Sequence, residues 1–299
     1  MRPGGLGRIP FVVPLVLLLV TTSGCGRGEH HAGGRMLVVA GIAPMACFAK
    51  QVGGSLVEVK LMVPPGASPH TYQPEPDQMR TLSRASVLVL NGVGIEFWAE
   101  KAVDAANNPR LVVAETARGL PIIASTRDKL HPGGNPHVWL DPLYAVHQVE
   151  AIRDAFARAD PANSRAYEHN ARRFMRALRR LDADIRAEVK TWRSKSFISF
   201  HPAWAYFARR YGLVEADVIE KTPGKEPSPS EIRHLVDTAR RIRAKAVFAD
   251  MQFSTRAAEV VAEEIGAKVI LLDPLGRPPD YDYIETMRLN LARMAAALK

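Results

Sequence analysis

Three of the nine histidines in this chain of 299 residues stand on stretches stiffened by proline: His70 in GASPHTYQPEP, His137 in NPHVWLDP and His201 in SFHPAWAYFARRYG. A fourth stretch, AKVILLDPLG, sets Asp273 directly before Pro274, as His201 is set before Pro202. Together these are donors for a divalent metal. Neutral imidazole binds zinc at about 2.0–2.1 Å and a carboxylate oxygen at about 2.0–2.2 Å. Three imidazoles and one carboxylate leave a dipositive ion with a single net positive charge, which desolvates at lower cost than an all-neutral set. Proline beside a ligand holds its loop before the ion arrives, so less ordering entropy is lost on binding. Taken singly each has a bland alternative: an incidental imidazole, or for Asp273 the cap of a turn. The other histidines carry weaker signals. His30 and His31 fall in a Gly-rich polar spacer, His169 and His234 on polar helical stretches, His147 just after a helix start, and His131 on the Gly/Pro loop RDKLHPGGNP. Glu75 and Asp77 lie close to His70 but suit the start of the helix PDQMRTLSRA, where acids favour the N-terminus. A catalytic zinc keeps an open position on three protein ligands. This chain offers a fourth ligand and no HExxH motif, so a zinc hydrolase is the weaker reading.

What could bring four such distant residues together? Short apolar runs recur with helical stretches between them: 36–40, 57–63, 86–91 and 110–114 in the first half, then 196–200, 213–219, 245–250 and 267–273 in the second. Strands alternating with helices predict an α/β fold of two lobes, each with a four-stranded, mostly parallel sheet flanked by helices. His70 follows the second run, His137 the fourth after a loop, His201 the fifth and Asp273 the eighth. The carboxyl ends of strands line the ligand crevice of open parallel sheets, so all four residues face one cleft. Between the halves, residues 160–192 place Phe174, Leu178, Leu181 and Ile185 three and four apart behind Asp160 and Pro161. This spacing predicts a single connecting helix long enough to serve both lobes. The predicted organisation is a signal peptide over 1–24, a tether over 25–35, an N-terminal lobe over 36–159, the connecting helix over 160–192 and a C-terminal lobe over 193–299.

The N-terminus carries Arg2 and Arg8, then ten residues FVVPLVLLLV, then small residues up to Cys25. Ten residues are too few to span a bilayer, which takes about 20, and the pattern is that of an export signal. Ser23 and Gly24 before Cys25 resemble a lipobox, with Thr22 where Leu is usual. A lipidated Cys25 would hold the domain on a membrane surface. Cys47, the only other cysteine, then has no disulfide partner and reads as a small buried residue on a helix. The net charge is +9, or +7 once Arg2 and Arg8 leave with residues 1–24. Arginines are spread along helical stretches with acids interleaved and no aromatic platform. That composition fits a solvated face and excludes nucleic acid as the expected partner.

In order along the chain, GASPHTYQPEP, NGVGIEFW, NPHVWLDP, SFHPAWAYFARRYGL, KEPSPSEI and VILLDPLG resemble the zinc/manganese solute-binding lipoproteins of bacterial ABC importers, from about residue 36 to the C-terminus. The resemblance implies two α/β lobes on one long helix and a metal between them held by His70, His137, His201 and Asp273. It also implies a periplasmic or membrane-surface location, transfer of the metal to a membrane permease, no enzymatic activity and a monomeric protein. Zinc is the expected ion, manganese the alternative. Three imidazoles favour zinc, while manganese prefers oxygen-rich sites, and the family's manganese group has an acid where His201 stands. A surface adhesin or metal buffer on the same fold is a further alternative. Two departures stand out: the loop before His137 holds only His131 where many zinc members are His-rich, and Asp250 replaces a usual Glu.

Overall fold

The structure, a computed structural model, describes residue 1 and residues 34–124, 133–221, 224–279 and 281–299. The apolar run at 11–20, Cys25, His30, His31 and His131 lie outside the described residues. The fold is that of the unit Arg35–Lys299, distinct by its contacts from Met1–Gly34.

All eight apolar runs form strands. β1 (Met36–Ala40), β2 (Val57–Leu61), β3 (Val87–Leu90) and β4 (Val112–Glu115) make one sheet in the order β2-β1-β3-β4. β5 (Ser196–Ser199), β6 (Val214–Val218), β7 (Ala246–Asp250) and β8 (Lys268–Leu272) make the second, in the equivalent order β6-β5-β7-β8. Every neighbouring pair is parallel. The central strands explain why: VLVL of β3 and AVFAD of β7 are buried throughout, as strands covered on both faces by helices must be. In each sheet the first strand pairs with the second on one side and the third on the other. A topological switch point therefore opens beyond the carboxyl ends of β1 and β3, and of β5 and β7.

Helices α1 (Ala43–Gly53), α2 (Pro76–Leu82), α3 (Ala99–Ala106) and α4 (Pro142–Ala159) belong with the first sheet. α6 (Ala205–Tyr211), α7 (Pro229–Arg241), α8 (Arg256–Glu264) and α9 (Tyr283–Leu298) follow the connecting helix α5 (Ser164–Lys190). α5 has 27 residues, about 40 Å at roughly 1.5 Å per residue. It begins later than the pattern predicts, because Pro161–Asn163 form a separate 3-10 turn. The Asp160 carboxylate holds that turn, accepting from Asn163 Nδ2 and from the Tyr167 hydroxyl, each at 2.7 Å.

The predicted apolar face of α5 is its buried face. Tyr167, Ala171, Phe174, Leu178, Leu181, Ile185 and Val189 all lie in one cluster that runs from Val38 and Phe48 through to Phe197, Phe207, Phe248 and Met294. The sheets are separate, yet this core is continuous across them. Phe48 of α1 packs edge-on to Tyr283 of α9 at 5.0 Å and beside Phe174 of α5 at 5.8 Å. Cys47 is buried on α1, and burial pushes its thiol up to about 11, out of the reactive range. Among the described residues no helix is long and apolar enough to cross a membrane.

Candidate metal centre

His70 sits on the connection from β2 to α2, and α2 itself fastens that connection. Gln78 Nε2 donates to the Met62 carbonyl at 2.6 Å, where the connection leaves the sheet. Gln78 Oε1 accepts from Tyr72 Oη at 2.5 Å and from the Glu75 amide at 2.9 Å, where it re-enters a helix. Glu75 is the N-cap of α2 and Asp77 lies in its first turn, so the acids beside His70 are helix-start residues as the sequence predicts.

His137 precedes a short 3-10 turn, Val138–Leu140, that feeds α4 through its N-cap Asp141, which accepts from the Leu143 amide at 2.9 Å. Asn91 Nδ2, beyond the end of β3, donates to the Pro136 carbonyl at 2.9 Å and fixes this segment to the first sheet. His201 lies just beyond the carboxyl end of β5, separated from it by Phe200 alone. Its Nδ1 lies 2.6 Å from Asp250 Oδ2 at the end of β7. That pair occupies the switch point of the second sheet.

The three imidazoles converge. His137 Nε2 is 3.2 Å from His70 Nε2 and 3.2 Å from His201 Nε2. One ligand atom from each lies within 4.8 Å of the other two, and the residues are only 7%, 3% and 2% exposed for His70, His137 and His201. Tetrahedral zinc with bonds of about 2.0–2.1 Å separates its ligand nitrogens by roughly 3.3 Å. The two separations match that requirement. Trp139, Phe253, Pro69, Pro274 and Leu275 wall a cavity of about 10 Å3 beside the rings, room for one small ion or water.

Asp273 is buried, but it is not in the group that closes within 4.8 Å. Its Oδ1 accepts from the Leu275 and Gly276 amides at 3.0 and 2.9 Å and from Gln252 Nε2 at 3.3 Å, so that oxygen caps the turn after β8. Oδ2 lies 3.7 Å from Arg277 Nε. Of the other histidines, His147 Nε2 lies 2.9 Å from the Arg118 carbonyl, while exposed His234 is 3.3 Å from Asp217; neither joins the group.

Several residues of the site were not singled out as such by the sequence. Asp250 drew notice only as a departure from the usual Glu; its position at the end of a central strand, the signal used for Asp273, was available. Burial pulls the His201 imidazole down, but the charge and hydrogen bond of Asp250, with Glu215 and Glu220 behind it, outweigh this and the net shift is upward. Burial pushes Glu215 up to about 7 against a hydrogen bond from Ser199 Oγ at 2.6 Å. Asn135, whose Oδ1 accepts from the His137 amide at 3.0 Å and lies 2.9 Å from its Nδ1, carried no sequence signal at all.

The family described as ZnuA, zinc-uptake complex component A, periplasmic, matches residues 38–297. The high-affinity zinc uptake system protein ZnuA of Bacillus subtilis (strain 168) is 28% identical over 96% of this chain and 96% of its own length. A crystal structure of ZnuA superposes with a TM-score of 0.81 at 36% identity, covering 88% of this chain and 99% of that one. The laminin-binding protein Lmb of Streptococcus agalactiae, described as bifunctional with adhesin and metal-transporting activity, aligns with a TM-score of 0.80 at 27% identity, over 89% of this chain and 100% of its own.

Proposed function

Since the chain belongs to the ZnuA family of periplasmic zinc-uptake components, we propose that it is an extracytoplasmic binding protein that captures zinc between its lobes and delivers it to the membrane permease of an ABC importer. The observation that carries this reading is the convergence of three buried imidazoles, with His137 Nε2 3.2 Å from the Nε2 atoms of His70 and His201, close to the separation a tetrahedral ion requires. In this reading His70, His137 and His201 supply three donors. Asp273 supplies the fourth through Oδ2, the oxygen that the turn amides do not use. Nitrogen-rich donors select zinc over manganese, which prefers oxygen.

The apolar walls of Trp139 and Phe253 keep bulk water from competing with the ligands and strengthen each ligand–ion attraction. A site closed in this way suits carriage of an ion and not hydrolysis at it. Lipidation at Cys25 would keep the loaded protein within reach of its permease, and the intact mass of the mature protein reads that out.

Equilibrium competition in metal-buffered solution tests the assignment. Zinc is expected to hold the site against manganese at equal free concentrations; displacement by manganese would overturn it. Loss of high-affinity zinc uptake in a strain lacking the protein is the expected result in cells. Unchanged uptake would leave a metal buffer or adhesin instead.

A further inference from the structure

Asn135 is 6% exposed, and two of its three side-chain contacts have directions that are chemically fixed. The His137 backbone N–H can only donate, so the atom facing it at 3.0 Å is the amide oxygen. The Pro202 carbonyl can only accept, so the atom facing it at 2.5 Å is the amide nitrogen. Both constraints agree on one orientation of the side chain. It follows that the contact of 2.9 Å from Oδ1 to His137 Nδ1 requires a proton on that ring nitrogen. The neutral ring then carries its lone pair on Nε2, the atom that faces His70 and His201.

The same side chain also crosses between the lobes. Pro202 follows His201 directly and belongs to the second lobe. Around this bond Tyr206 Oη of α6 donates to the Asn135 carbonyl at 2.7 Å, and the Ile123 amide donates to Tyr206 Oη at 3.0 Å. One amide therefore holds a first-lobe imidazole in its binding tautomer and, through its other atom, grips the residue next to a second-lobe imidazole.

We infer that Asn135 is a positioning residue that couples the binding tautomer of His137 to the closed arrangement of the two lobes. Separation of Pro202 from the segment at 135–137 removes the amide's anchor and lets the His137 ring exchange tautomers. The site then loses its ligand geometry as it opens. This rests on the zinc-binding reading above only for its effect on affinity. The tautomer and the lobe contact are properties of the metal-free protein and are measured there.

Three variants and two readouts in metal-free protein at pH 8 separate the roles. Ring 15N shifts report the His137 tautomer, and hydrogen exchange of the Ile123 amide reports the contact with α6. In the wild type His137 is expected in the Nδ1–H form, with the Ile123 amide protected. N135A removes both functions: the Nε2–H form becomes populated, Ile123 exchanges on the order of tenfold faster, and zinc binds roughly 10–100-fold more weakly, the usual loss for a residue that orients a ligand. N135D keeps the acceptor for His137 but turns an oxygen towards the Pro202 carbonyl. It is expected to retain the Nδ1–H form while Ile123 exchange accelerates, and it remains informative if N135A does not fold. Y206F, which removes the hydroxyl and not the amide, is expected to accelerate Ile123 exchange with the His137 tautomer unchanged. An Nε2–H form in the wild type, an unchanged tautomer in N135A, or unchanged Ile123 exchange in N135D would each overturn the proposal. Failure of the wild type to bind zinc would instead overturn the functional reading and leave these two measurements standing.

Discussion

Replacing Asp250 by Asn removes one negative charge 2.6 Å from His201 Nδ1 and leaves the side chain's shape unchanged. Both residues are 2% exposed, so solvent screening offers little relief. A hydrogen bond to a charged group contributes about 1.5–3 kcal/mol against about 0.5–1.5 for a neutral one, so the substitution costs about 1–2 kcal/mol of ligand basicity and orientation. At about 1.4 kcal/mol per tenfold, that is roughly 5–30-fold in zinc affinity. D250A goes further, leaving Nδ1–H buried without its acceptor, and is expected to lose on the order of 100-fold. Competition against a chromophoric chelator at fixed pH measures both. A zinc Kd within twofold of wild type in D250N, at unchanged stoichiometry, would refute the view that Asp250 tunes His201. The metal-free proteins give an independent check. Because the folded His201 is raised above its unfolded value of about 6.5, its contribution to stability is full below that value and is lost as pH rises through the folded one. D250N, in which burial acts with less opposition, is therefore expected to be less stable than wild type near pH 6, with the gap narrowing as pH rises.

His70→Ala removes one donor from the loop side. If the ~10–16 kcal/mol typical of structural zinc is shared over four ligands, one is worth about 3–4 kcal/mol, so affinity should fall roughly 10^2–10^3-fold with an unchanged far-UV circular dichroism spectrum. Zinc affinity of the wild type should fall with decreasing pH, beginning above the ordinary imidazole value of about 6.5 because His201, held above it, must shed its proton to bind; titration calorimetry across pH would detect the accompanying proton release. Gly41→Ala would place a Cβ 2.5 Å from Glu96 Oε1, displacing a carboxylate that accepts from the Asn91 and Gly92 amides at 2.8 and 3.0 Å. We expect a loss of about 2–4 kcal/mol, read as a lower thermal midpoint. Burial pushes Glu96 up to about 7. Its contribution to stability is therefore full below the unfolded value of about 4.3 and declines as pH rises towards 7, a slope that Glu96→Gln should remove from denaturant titrations over that range.

The strands were legible because each is a short apolar run between helical stretches, and a central parallel strand such as VLVL has no polar alternative to disguise it. The three histidines were legible by position, each following a strand, together with the proline stiffness of their loops. Asp273 shows the limit of that signal. A carboxylate at a strand end serves equally to cap a turn, and here Oδ1 does cap one, while Oδ2 lies 3.7 Å from Arg277 Nε. Asn135 lies deeper still below the level of the sequence. An Asn two residues before a His carries no chemistry of its own to read, and its meaning comes from Pro202, 67 positions away, which only the folded chain brings within 2.5 Å.

The same distinction governs how the lobes can move. Sequence spacing assigns α5 to both lobes, and a helix without internal Gly or Pro bends reluctantly. The structure adds a second restraint that spacing does not show. Trp139 Nε1 donates to the Pro274 carbonyl at 2.7 Å, Tyr283 Oη donates to the Trp139 carbonyl at 2.6 Å, and Arg210 Nε lies 3.2 Å from Asp141 and 2.6 Å from Asp182. The segment that carries His137 is thus fastened to the second sheet's side as well as to Asn91 on the first. A wide hinge opening would break these bonds and split a continuous apolar core around Phe48, Phe174 and Tyr283, exposing side chains whose burial is worth about 1.5–3 kcal/mol each. Small displacements that break only the Asn135 contact cost far less. Metal exchange is therefore expected through local loosening at the mouth of the cleft, and a radius of gyration that changes little between zinc-loaded and metal-free protein in solution scattering would bear this out, whereas a large expansion would contradict it.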